Sequence, residues 1–140
     1  MKLKEVREKI SEFFHTKDGE IQRAYNAYDR VTGLLDERDR NPNFDRTKEL
    51  EESVKETETL TLELLKNYEG NRNWPGVFSE MHMNLARIWM RTGKYEEALK
   101  ECDRVAEYNS IDAEELRDIV KEVMAGEKVA SARLDEIGVA

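Results

Sequence analysis

Cysteine occurs once in the 140 residues, at Cys102, so no disulfide can form within the chain. Proline occurs twice and glycine seven times, too few for a loop-rich or β-sandwich architecture. Aromatic residues are 8% of the sequence, and no apolar run approaches the roughly 20 residues that a membrane span needs. The opening MKLKEVREKI has basic residues with no apolar stretch behind them, so no secretory signal is read and the cytoplasm is the expected location. Glycine-rich phosphate loops, CxxC pairs and a plausible Ser/His/Asp order are also missing. No cofactor is expected.

Histidine, the commonest catalytic and metal-binding side chain, appears only at His15 and His82. Glu12-x-x-His15 has the spacing used in di-iron helical bundles, but the matching position before His82 is Ser79. Neither histidine has the small-residue and lysine context of a phosphotransfer helix. Cys102 falls on the apolar side of its helix, with no basic or histidine neighbour in sequence to activate it, and reads as a buried structural thiol. No metal and no catalytic residue are assigned.

Charge is what the chain has in quantity. Asp, Glu, Lys and Arg make up 39% of it, against about a quarter in an average domain, and the net charge is −8. Through Phe44 there are nine basic and nine acidic residues; from Asp45 onward there are 14 and 22, so the whole excess lies there. An acidic surface repels phosphate backbones, which argues against nucleic acid.

The apolar residues recur with helical spacing, giving an all-α class and a single domain over 1–140. Leu3, Val6, Ile10, Phe13 and Phe14 predict a helix over about 3–15. Ile21, Tyr25, Tyr28, Thr32 and Leu35, widened by Ala24, Val31 and Leu34, predict one over about 20–37. Leu50, Val54, Thr57, Thr61, Leu64 and Tyr68 predict a third over about 46–68, capped by Asp45. Helices over about 75–92 and 94–109 follow, with Pro75 suited to the first turn and Gly93 to a left-handed turn between them. Asp112 and Glu115 suggest a capping box for a helix over about 113–125, with Ile111 as its hydrophobic staple. A short helix over about 127–136 completes the set.

The stretch 79–112 carries Leu85-Ala86-x-x-Trp89, then Gly93, Tyr95, Ala98, Cys102 and Val105. It resembles one tetratricopeptide repeat, a helical hairpin of about 34 residues. His82 stands at the family's first large position, Cys102 at its second aromatic, Val105 at its second alanine and Ser110 at its terminal proline. A weaker echo lies 74 residues upstream, where Gly19, Ala24, Tyr28 and Val31 parallel Gly93, Ala98, Cys102 and Val105. The single helix between the two hairpins does not fit a regular array.

The resemblance implies antiparallel hairpins in a right-handed stack of about six to seven helices, and a habit of binding protein partners. It also implies that the first helix of the hairpin lines a groove, through Glu80, Met83, Arg87, Met90 and Arg91. These recur at spacings of 3, 4, 3 and 1, so they are expected on one partly exposed face, with Leu85, Ile88 and Trp89 mostly buried. Two arginines in an acidic protein suit an acidic segment or a C-terminal carboxylate. The expected function is a non-catalytic adaptor holding a peptide or partner helix. The alternatives are a structural subunit of a homo-oligomer and, less favoured, a regulatory bundle or phosphotransfer enzyme. No nucleic-acid or membrane partner is expected.

Overall fold

The computed structural model describes residues 17–71 and 74–126. Among them are five α-helices and one short 3-10 turn, with no strand. The helices expected over 3–15 and 127–136, and His15 with them, lie outside the described residues. The chain forms two compact units, Met1–Asn71 and Arg72–Ala140.

In the first unit, α1 (Lys17–Arg40) packs on α2 (Thr47–Tyr68), which runs into the 3-10 turn Glu69–Asn71. Asp18 and Glu20 in the first turn of α1, and Arg38 and Arg40 in its last, complement the helix dipole. Asn41 ends the helix before Pro42, and its side chain accepts a bond from the Asn43 amide at 2.9 Å to set the turn. Three contacts fix α1 and α2 as antiparallel. Glu20 bonds Tyr68, Ala27 accepts from Thr57, and Glu37 pairs with Arg46.

The buried row of α1 is Ala24, Ala27, Val31, Leu34 and Leu35, with Ile21, Tyr25 and Tyr28 half-buried at its edges. On α2 the buried row is Leu50, Ser53, Thr57, Thr61, Leu64 and Leu65. Small residues therefore occupy the centre, where the sequence pattern had favoured tyrosines. A ring between two helices forces them apart, whereas Ala27 lets the Thr57 hydroxyl reach its carbonyl at 3.1 Å. The residue before α2 is Arg46, not the expected Asp45, and it makes no side-chain cap. Its guanidinium instead takes Glu49 at 2.7 Å and Glu37 at 2.8 Å, tying the loop to both helices.

The second unit holds α3 (Pro75–Arg91), α4 (Tyr95–Ala106) and α5 (Ser110–Met124). Pro75 opens α3, where its missing N–H leaves nothing unsatisfied. Gly93 has φ +85°, and the amides of Gly93 and Lys94 close back onto the carbonyls of Met90 and Trp89 at 3.4 and 2.7 Å. That is a Schellman turn, and it reverses the chain into α4. The echo does not extend to this turn, because Gly19 lies inside α1; Ala24 and Ala98, and Val31 and Val105, are buried alike.

The expected start of the last helix needs correction. Asn109 is its N-cap, its side chain accepting from the amides of Ile111 and Asp112 at 3.1 Å each. Asp112 therefore lies in the first turn, and Ile111 is no staple, being 69% exposed. Asparagine competes well with aspartate as a cap, and the earlier start adds almost a turn of helix. The unit's core is Met83, Ala86 and Met90 from α3, Ala98, Cys102 and Val105 from α4, and Ala113, Leu116, Ile119 and Val120 from α5. Trp89, Tyr95, Leu99 and Val123 pack around it.

Candidate interaction site on α3

Helix α3 is buried on more than one side. Met83, Ala86 and Met90 form the row that meets α4 and α5. Phe78, Met81, Leu85 and Ile88 form a second, fully buried row. A third row is polar: Glu80, Asn84, Arg87 and Arg91, spaced 4-3-4. Each of the last three follows a core residue by one position, which turns it about 100° away from the core.

The five expected groove residues thus divide between two rows. Met83 and Met90 are core residues, not the open, adaptable surface that was expected. Glu80, Arg87 and Arg91 do share the polar row. The middle of that row is closed: the Arg87 side chain is only 4% exposed. Its Nη1 donates to Asn84 Oδ1 at 2.9 Å and to Glu80 Oε1 at 3.2 Å. Glu80 and Arg91, at the two ends, remain half-buried and in reach of solvent. Of the residues expected to be inside, Leu85 and Ile88 are buried and Trp89 is half-buried.

Asn84 completes this row and was not singled out from sequence. Its only signal was its spacing to Glu80 and Arg87, which emerges once the core row has been identified. A second polar contact was also unforeseen. His82 sits 2.5 Å through Nδ1 from Glu101 Oε2 on α4, with its ring stacked 6.2 Å from that of Tyr108. His82 and Glu101 stand nineteen positions apart in the sequence, so no local pattern links them.

Cys102 is buried in the core, as its position on α4 implied. Burial pushes its thiol up to about 11, outweighing the nearby Arg117 guanidinium, so at neutral pH it is a protonated packing group. Among the described residues no three His, Cys, Asp or Glu side chains are placed to hold a metal ion. None of the described helices is long and apolar enough to cross a membrane. No protein-family model matches the chain, and no curated protein or solved structure matches it significantly.

Proposed function

We propose that this protein is a non-catalytic helical adaptor whose α3–α4 hairpin holds an acidic peptide segment or a C-terminal carboxylate. In this reading it works in the cytoplasm as a degenerate tetratricopeptide-like stack. The observation that carries the reading is the polar row of α3. A guanidinium held by Asn84 and Glu80 lies one turn from Arg91, which is half-buried at the end of the row. A partly desolvated arginine suits a carboxylate better than a surface lysine, because its planar fork can take both carboxylate oxygens.

The hairpin itself supports the likeness to tetratricopeptide repeats. Ala86 and Ala98 are fully buried where α3 and α4 approach, and Gly93 takes the left-handed turn. Adaptor function follows from that likeness by analogy of fold, whereas the choice of an acidic ligand follows from the row. Arg91 is the residue assigned to the ligand; Arg87 acts behind it by fixing the row.

Capture from native extract on immobilised protein tests the proposal, with Arg91→Glu as control. The proposal expects a partner that is retained by the wild type, lost on Arg91→Glu, and competed away by a short acidic peptide. Retention unchanged by both treatments would remove this row from the function.

A further inference from the structure

We infer that the contact between His82 and Glu101 is a pH-sensitive clamp that holds α3 against α4. The inference stands apart from the proposed ligand site, since His82 lies on the opposite side of α3 from the polar row. The ring is inside the protein, its side chain 6% exposed, while Glu101 keeps 15% of its side chain in water. A carboxylate only accepts, so Nδ1 carries the proton of this bond. The Tyr108 ring, just past the end of α4, lies over the imidazole at an interplanar angle of 24°.

The surroundings make this link unusual in the unit. The buried hydrophobic core that α3 and α4 share beside it is Met83, Ala86, Met90, Ala98, Cys102 and Val105. From α5 the same core receives Ala113, Leu116, Ile119 and Val120, and Arg117 turns away to Asp103 at 2.8 Å. Glu97 and Arg104, about a turn before and after Glu101 on α4, are exposed. On α3 itself, Glu80 and Arg87 pair with each other on the far side. Cys102 next to Glu101 is held as a neutral thiol by burial. Glu101 thus brings a carboxylate to the imidazole from α4, and the Tyr108 ring stacks beside it.

Two effects oppose one another at His82. Burial disfavours the imidazolium, whereas a carboxylate in direct contact favours it. The 2.5 Å contact with a carboxylate that is still partly hydrated favours the charged ring. The direction of the linkage follows. A histidine that binds its proton more tightly when folded adds stability that is full below the unfolded value of about 6.5 and fades as pH rises through the folded one. Above it, the neutral ring still donates Nδ1–H, but the attraction between charges is gone. The hairpin is therefore clamped in mild acid and looser in mild alkali.

Histidine NMR on the full chain tests the clamp directly, because there are two imidazoles and a His15→Gln variant leaves only His82 to observe. The His82 titration should have its midpoint above about 7, and Glu101→Gln should lower it by about one pH unit. The urea midpoint of the wild type should fall from pH 6 to pH 9 more steeply than that of Glu101→Gln. A His82 midpoint at or below about 6.5, or one that Glu101→Gln leaves in place, overturns the inference. Should Glu101→Gln prove too unstable to titrate, the wild-type midpoint alone decides.

Discussion

Arg87 donates from Nη1 to Asn84 Oδ1 at 2.9 Å, one turn back along the same helix, and neither side chain is open to solvent. Glu80 is the charge that balances the guanidinium, at 3.2 Å. Reversing a buried, paired charge strands two carboxylates together, so Arg87→Glu should destabilise the second unit by on the order of 3–5 kcal/mol. Arg87→Met, which keeps the stem but loses the bonds, should cost about 1–3 kcal/mol. Urea denaturation of both variants checks the order; equal and negligible losses would show that the row is not packed as described.

Gly93 has no atom within 4 Å of where a β-carbon would sit, so space does not decide what replaces it. Its φ of +85° does. Gly93→Ala should cost about 1 kcal/mol through backbone strain alone, seen as a lowered thermal midpoint with an unchanged helical spectrum.

Cys102 should react slowly with a thiol reagent under native conditions and quickly in denaturant. Its pH linkage has a definite sign. The folded thiol holds its proton up to about 11, against a reference value of 9.0, so the unfolded chain ionises first. Stability should then fall between those values by on the order of 2 kcal/mol relative to a Cys102→Ala chain, which lacks the group. Denaturation curves of the two proteins at pH 9 and pH 11 give the comparison.

In the first unit, Thr57 Oγ1 lies 3.1 Å from the Ala27 carbonyl across the seam and 2.8 Å from that of Ser53 along its own helix. Thr57→Val keeps the shape and removes the donor. It should cost about 1 kcal/mol by chemical denaturation, the usual net value of a hydrogen bond, while Thr59→Val on the exposed side should be close to neutral.

The all-helical class and the approximate span of the five described helices were legible from apolar spacing, because periodicity is a local property. Gly93 and Cys102 were legible for the same reason: each is set by its place on one hairpin. Which row of a helix lies deepest was harder to read. Tyr25 and Tyr28 are more apolar in pattern than Ala24 and Ala27, yet the alanines take the seam, because close approach selects for small size. On α3, a spacing of 3, 4, 3 and 1 joined residues from two rows, and only packing against α4 separated Met83 from Arg87. The His82–Glu101 contact depends on the hairpin register and had no signal in the sequence at all.

The adaptor reading depends on Arg91, and it is tested most directly by fluorescence anisotropy with a panel of short labelled peptides. Acidic peptides with a free C-terminal carboxylate should bind the wild type, and amidated or basic ones should not. Binding should weaken as salt is raised, since the contact is ionic. Arg91→Glu should weaken it at least tenfold, while shifting the unfolding midpoint little, because a half-exposed charge contributes less than about 1 kcal/mol. Peptide binding of equal strength in wild type and Arg91→Glu, or none to any acidic peptide in the panel, would contradict the account.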